Sequence, residues 1–300
     1  MTTDSPLYLE LLETLSSSLE ILPDKPEETP TSCLRALWLT AAGYPSSAAS
    51  AMNKTLPPID ESAESILRNL IAERLNSKPL AYLTGRQQFM GVEFISTPQA
   101  VIPRKDTEPL IKTVLKYISE GEIPLEQQIV IDVFTGSGNI PLTLAKLIPG
   151  PRYYGSDLSA DAIDLANLNA KFLRQQSSCT FFCGDLLAPF ENGDFNNQVD
   201  IISGAPPFIS SSKVPTMPKE ISQHEPSLAF DAGPFGIGLF NRLIKDAPIF
   251  LKQGGWLCFE VGLGQGPSML KRLEKDPRYV NEQSFCDDSG DIRVVVAQKN

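Results

Sequence analysis

The sequence predicts an α/β chain: a doubly wound, mostly parallel sheet, preceded by a small all-α domain and a linking β-hairpin. Three observations predict it. From about residue 106, apolar runs of strand length alternate with helical patterns. A glycine loop, Gly136-Ser137-Gly138, follows the first of these runs where a helix begins. The first 78 residues are instead helical in pattern, broken by polar, proline-rich stretches. Three hundred residues hold two modest domains or one large one. The boundaries read as 1–78 for the helical domain, 79–105 for the hairpin linker and 106–300 for the α/β domain.

In the helical domain, "LYLELLETLSSSLEIL" carries apolar residues at helical spacing, and "PDKPEETPTS" breaks it. "CLRALWLTAAG" ends at a glycine suited to a helix C-terminus. "DESAESILRNLIAERLNS" opens with acids and closes with basic residues, as a capped helix does. The runs Gln87 to Phe89 and Val92 to Ile95 straddle Gly91 and predict the hairpin, and Pro98 and Pro103 stiffen the link beyond it. A helix is then expected over Glu108 to Ser119, a strand over Ile129 to Val133, a helix over Pro141 to Leu147 and a strand over Tyr153 to Ser156. A helix over Ala160 to Leu173, a strand over Thr180 to Cys183 and a strand ending in "SGAPPF" follow. The pattern closes with a helix over Gly238 to Leu251, a strand over Trp256 to Val261, a helix over Gly266 to Lys275 and a strand over Ile292 to Ala297. Trp38 and Trp256 read as core residues.

A formal charge of -10 and a pI near 4.8 disfavour direct nucleic-acid binding, which needs a basic stripe, and docking on anionic membranes. No apolar run approaches the roughly 20 residues that span a bilayer. The N-terminus lacks the basic flank of a signal peptide. Five scattered cysteines suggest no disulfide framework, and a single histidine leaves no zinc site in view. A reduced, cytoplasmic protein without a bound metal is expected.

Three strand ends carry the chemistry. After Asp132 the glycine loop lets backbone amides approach a ligand; it lacks the lysine of a phosphate-binding Walker loop and the full dinucleotide fingerprint. Asp157, one strand later, can accept both hydroxyls of a ribose; it could also cap the next helix, although Ser159 is better placed to do so. Asp185 follows the third strand and could meet the amino edge of an adenine, or serve only as a turn residue. This arrangement resembles class I methyltransferases that use S-adenosyl-L-methionine (SAM).

Over nearly its whole length the chain also resembles the HemK/PrmC family, the glutamine N5-methyltransferases of peptide-chain release factors. The similar segments are "KPLAYLTGRQQFMGVEF", "VIPRKDTEPL", "DVFTGSGNI", "APPFIS", "HEPSLAFDAGPFG", "GGWLCFEVG" and "SGDIRVVVA". The resemblance implies an N-terminal helical domain that helps recognise substrate. It implies that Phe134, Thr135, Gly136, Gly138 and Asn139 hold the methionine part of SAM, with Asp157 and Leu158 at the ribose and Asp185 and Leu186 at the adenine. Arg104 and Glu108 would orient the charged end of SAM, or form a surface ion pair. Glu260 corresponds to a family position near the ligand. Lys105 and Asp106 stand where the family carries proline and glutamate.

The acceptor pocket would be lined by Ala205, Pro206, Pro207 and Phe208, which match the family's Asn-Pro-Pro-Tyr motif. There the Asn oxygen and a proline carbonyl accept the two N–H groups of the target glutamine, and the aromatic ring covers the amide. Ala205 cannot accept, and Phe208 keeps the ring without the hydroxyl. Losing one positioned acceptor costs on the order of 2–4 kcal/mol, about 10² to 10³ in rate. Ala205 therefore reads in three ways: an engineered, inactivating change; a homologue whose acceptor is a better nucleophile, such as an amine; or another use of SAM, such as attack by its own amino group with release of methylthioadenosine. The corresponding functions are N-methyl transfer to an amide or amine, with a release factor as partner; biosynthesis on a small molecule; and SAM binding without turnover. His224, near the motif, could be a base but reads more simply as polar surface. Gly262, Gly264 and Gly266 resemble a phosphate loop but suit a tight strand-to-helix turn.

Overall fold

The computed structural model describes residues 2–121, 123–233 and 237–300, so the last three residues of "HEPSLAFDAGPFG", 234–236, lie outside the described residues. The chain divides into two compact units. The first takes in residues through Pro98, with Ile102–Lys105 and Pro218–Glu225. The second takes in Gln99–Val101, Asp106–Met217 and Pro226–Asn300.

The first unit is built on helices α1 (Pro6–Ser18), α2 (Pro30–Ala41), α3 (Ala48–Ala51), α4 (Glu61–Leu75) and α5 (Leu80–Thr84). The starts are written locally: the side chains of Ser5, Thr29 and Asp60 accept from the backbone N–H groups of Tyr8, Ser32 and Ala63. Tyr8, Leu11 and Leu15 share one face of α1, as their spacing requires, and join Leu34, Leu37 and Trp38 of α2 and Leu67 and Ile71 of α4 in one core. Trp38 is buried, and its indole N–H donates to the Pro57 carbonyl at 2.8 Å. The hairpin strands β1 (Arg86–Phe89) and β2 (Val92–Ile95) belong to this unit. They are joined by Met90 and Gly91, whose positive φ angles of 47° and 79° match a two-residue turn that follows the strand twist.

Buried charge knits the first unit. Glu220 accepts from Lys25 Nζ at 2.5 Å and from Arg74 at 2.7 Å, while Arg74 reaches Glu28 at 2.9 Å. Burial pushes the Glu28 carboxyl up to about 7, against the pull of Lys25 and Arg74. For Glu220 the same burial is outweighed by those two cations, which hold it below the usual carboxylate range. Two long side chains, Lys25 from the link between α1 and α2 and Arg74 from α4, thus find a counter-charge on a segment that is distant in sequence.

The second unit runs α6 (Glu108–Glu120), β3 (Ile129–Val133), α7 (Asn139–Leu147), β4 (Arg152–Asp157), α8 (Ala160–Leu173), β5 (Cys179–Cys183), β6 (Val199–Gly204), α9 (Gly238–Phe250), β7 (Leu251–Glu260), α10 (Gly266–Glu274), β8 (Tyr279–Cys286) and β9 (Ile292–Lys299). The seven strands lie in the order β5-β4-β3-β6-β7-β9-β8. The strands from β5 across to β7 are parallel, and β9 and β8 close that edge antiparallel. Ile129, Ile131 and Val133 of the fully buried β3 pack with Phe240, Leu243, Ala247 and Phe250 of α9. Strand order reverses between β3 and β6, so the carboxyl ends of β3, β4 and β6 frame the crevice where such sheets take ligands.

Two local readings of the sequence change. Strand β8 is not foreseen, because "YVNEQSFC" is polar at an edge and alternates in burial. Trp256 is half-buried rather than core: its ring stacks on Tyr117 with centroids 4.0 Å apart. Its strand starts at Leu251, earlier than expected, because Gly254 and Gly255 sit in an irregular stretch of register between the pairs Val199↔Leu251 and Ile201↔Trp256. Among the described residues no helix is long and apolar enough to cross a membrane.

Candidate active site

The crevice is shaped first by backbone. After β3 the chain takes Phe134 and Gly136 through positive φ angles of 65° and 52°, and Gly138 at 77° opens α7 as its N-cap. Gly138 is close-packed: a Cβ there would lie 3.0 Å from Leu142 Cδ1 and from Phe181 Cζ. A non-glycine residue held at positive φ, such as Phe134, is strained, and strain of this kind gathers at functional sites.

Asp157 ends β4 and fixes that loop. One carboxylate oxygen accepts the Gly136 N–H and the other accepts the Ser159 N–H, each at 2.9 Å. The cap of α8 is Ser159, whose hydroxyl accepts from Ala162 at 3.2 Å, so Asp157 is left for the loop and the crevice. Burial raises the Asp157 carboxyl, and the N–H groups of Ser159, Gly136 and Leu158 oppose the rise. Beneath the loop, burial pushes Asp132 up to about 7, although the Ser203 hydroxyl donates to it at 2.9 Å. Asp132 Oδ2, Thr135 Oγ1 and Ser137 Oγ are buried without a hydrogen-bond partner.

Asp185 follows β5 and is half-exposed; it accepts from Arg242 at 2.7 Å. Leu186 also has positive φ, at 51°, and its carbonyl accepts the buried Ser156 hydroxyl at 2.6 Å. Beyond β6 the ledge begins. Ile209 N–H donates to the Phe230 carbonyl at 3.0 Å and Ala232 N–H to the Ile209 carbonyl at 2.8 Å, so the segment after the ledge is tied alongside it.

Phe134, Gly136, Asp157, Leu158, Asp185, Leu186, Ala205 and Pro207 line one open cleft, while Phe208 of the ledge is not among its lining residues. Thr135 and Pro206 are buried behind this surface, and Gly138 and Asn139 form the start of α7. Glu108 stands at the head of α6, 3.6 Å from Lys112. Arg104 belongs to the first unit, where it pairs with Asp24 and, at 2.5 Å, with Glu225. Arg293 pairs with Asp106 at 3.0 Å and Glu260 at 3.5 Å, which ties the buried Glu260 into a charge pair. His224 lies in the first unit. Lining residues that sequence reasoning missed include Gln99 to Val101, Leu228, Ala229, Asp231 and Leu239. Their signal, Leu239 apart, was the resemblance of the segments around "VIPR" and "SLAFD", in which Asp231 is the one charged group that reaches the cleft.

The lining suits SAM. Its three carboxylates (Asp157, Asp185 and Asp231) can accept hydroxyl and amino protons and face a cation, and no lysine or arginine lines it among the described residues. Such a cleft offers no cationic side chain to a phosphate and matches a nucleoside that carries a sulfonium and an ammonium group.

No protein-family model matches the chain. A release factor glutamine methyltransferase of Moorella thermoacetica is 35% identical over 229 residues, covering 76% of this chain and 78% of the relative. The chain belongs to the release factor glutamine methyltransferase family. A second relative so named, from Geobacter sulfurreducens, is 33% identical over 230 residues, covering 77% of this chain and 74% of its own. Among solved structures, the catalytic domain of hMettl16 in complex with MAT2A 3′UTR hairpin 1 aligns with a TM-score of 0.54 at 17% identity, covering 77% and 80% of the two chains. At that identity the likeness shows the fold, that of class I methyltransferases. Like the rest of the glutamine methyltransferase family, this chain is a SAM-dependent methyltransferase.

Proposed function

We propose that this enzyme methylates a side-chain nitrogen held on the ledge Ala205–Phe208, with the glutamine amide of a peptide-chain release factor as the acceptor its family name implies. The observation that carries the proposal is that Ala205 and Pro207 line the same cleft as Gly136, Asp157 and Asp185. An acceptor on the ledge therefore shares one crevice with the cofactor residues. The 1–78 segment would recognise the partner, 79–105 would link, and 106–300 would carry the reaction in the cytoplasm.

Bound SAM supplies an electrophilic methyl group on a sulfonium. Gly136, Gly138 and their neighbours Phe134, Thr135 and Asn139 hold its methionine part, Asp157 with Leu158 its ribose, and Asp185 with Leu186 its adenine. Glu108, at the head of α6, would face its ammonium end, whereas Arg104 is taken up by Asp24 and Glu225 in the first unit. An amide nitrogen is a poor nucleophile because its lone pair is delocalised. Holding its hydrogens aims the nitrogen and weakens that delocalisation. The carbonyls at Pro206 and Pro207 can accept one N–H, and the Phe208 ring covers the amide face. The nitrogen gains the methyl group and releases one proton to solvent through the open mouth of the cleft.

Ala205 supplies no second acceptor, and this favours a second reading: an amine, or a small molecule, as the true acceptor. An amine needs no loosening of resonance, and the aspartate-rich lining suits a cationic ligand. Mass spectrometry of the nucleoside product, with and without release factor, separates the readings. S-adenosylhomocysteine formed only with release factor supports the first. Methylthioadenosine, or turnover without a protein acceptor, supports small-molecule chemistry. No product with intact SAM binding leaves a binding protein.

A further inference from the structure

We infer that Gln265 is a positioning residue for Phe208, fixing its backbone and through it the ring that covers the acceptor; its relevance to transfer rests on the reading of Ala205–Phe208 as the acceptor ledge. After β7 the chain turns through Gly262 and Gly264, and Gln265 stands just before α10. Its carboxamide folds back over the turn. Oε1 accepts the Gly262 N–H at 3.0 Å, and Nε2 donates to the Phe208 carbonyl at 3.3 Å. Chemistry fixes this orientation: a flipped amide would set donor against donor and acceptor against acceptor.

Gly262 holds the ring from the other side. A Cβ there would lie 2.7 Å from Phe208 Cδ2 and 3.2 Å from Cγ, too close for the ring to stay in place. The ring also packs against the main core of the unit. One five-residue turn, 57 residues from the ledge in sequence, thus sets both the backbone and the ring of a single ledge residue. Phe208 has no hydroxyl through which its ring could be oriented by a hydrogen bond, so packing on Gly262 and the Gln265 bond must do so. Gly262 serves this close approach, not a phosphate.

Three variants of the full chain test it: Gln265→Glu, which sets a carboxylate against the Phe208 carbonyl; Gln265→Ala, which removes both bonds; and Gly262→Ala, which pushes the ring. Incorporated para-fluorophenylalanine gives a Phe208 resonance, identified by its loss in Phe208→Leu. That resonance is expected to shift in all three variants while SAM affinity by calorimetry stays within about threefold, since neither Gln265 nor Gly262 lines the cleft. With release factor as substrate, kcat is expected to fall about tenfold or more with KM for SAM little changed. An unchanged resonance in both Gln265 variants overturns the proposal. So does loss of thermal midpoint and SAM affinity in step with kcat, which marks a merely structural role. If the parent chain does not methylate release factor, the proposed function falls, and the fluorine spectrum still decides the role of Gln265.

Discussion

The carboxylate of Asp157 accepts the backbone N–H of Gly136 at 2.9 Å, which joins the end of β4 to the loop after β3. The same carboxylate lines the cleft. One side chain therefore sets the shape of the glycine loop and faces the cleft, where the proposed function puts the ribose. Replacing it with alanine removes both effects. Asp157→Ala is expected to weaken SAM binding at least tenfold, read by calorimetry, and Asp157→Asn to weaken it less, because one acceptor oxygen remains. Unchanged affinity in Asp157→Ala would refute the ribose role.

Gly138 and Gly264 both have φ near +80°, at 77° and 79°, yet differ in their surroundings. Nothing lies within 4 Å of a Cβ built on Gly264, whereas one on Gly138 meets Leu142 and Phe181 at 3.0 Å. Gly264→Ala should cost only the backbone strain, roughly 1–2 kcal/mol. Gly138→Ala adds overpacking, typically about 1–3 kcal/mol more. Thermal unfolding of the two variants should rank them in that order, and SAM affinity should fall only for Gly138→Ala.

The turn that carries Gly136 and Gly138 was legible because it is local. A buried strand, a glycine turn and a helix are contiguous in sequence, so Gly136, Gly138 and Asp157 could be placed from pattern alone. The boundaries of β3 and α8 follow from apolar runs and from Ser159 for the same reason. What escaped is long-range. The Gln265 bond to Phe208 spans 57 residues, as does the Arg242 bond to Asp185, and no periodicity encodes either. Nor does any pattern foretell that Glu220 would be buried against Lys25 and Arg74. Strand β8 escaped because an edge strand buries too little to need an apolar run.

Asp132 gives stability a pH dependence of definite sign. Burial raises its carboxyl from 3.8 to about 7. Between those values the folded chain keeps a proton that the unfolded chain has released, so stability falls as pH rises through that window. The full effect above pH 7 is on the order of 4 kcal/mol for this one group. Glu28, raised to about 7, acts with the same sign. Asp132→Asn keeps an oxygen to accept the Ser203 hydroxyl and carries no charge. Without SAM present, its thermal midpoint should therefore fall less between pH 5 and pH 8 than that of the parent chain. Parallel curves for the two proteins would show that Asp132 does not carry the dependence.

Ala205 is the position on which the acceptor turns. It lines the cleft beside Pro207, directly after β6, so a longer side chain here would point at whatever the ledge holds. Ala205→Asn would add one neutral acceptor without changing backbone geometry or charge. If the acceptor is a glutamine amide, the new carboxamide oxygen takes its second N–H, and the rate on release factor should rise by about 10² to 10³. If the acceptor is an amine, the added group gives no resonance to relieve, and the rate on that substrate should stay level or fall as the pocket narrows. Initial rates of the two proteins on a release factor, measured beside SAM affinity to confirm an intact cofactor site, decide between them. A rise confined to the release factor assigns the amide chemistry to this ledge and makes the missing carboxamide the reason for a slow parent enzyme.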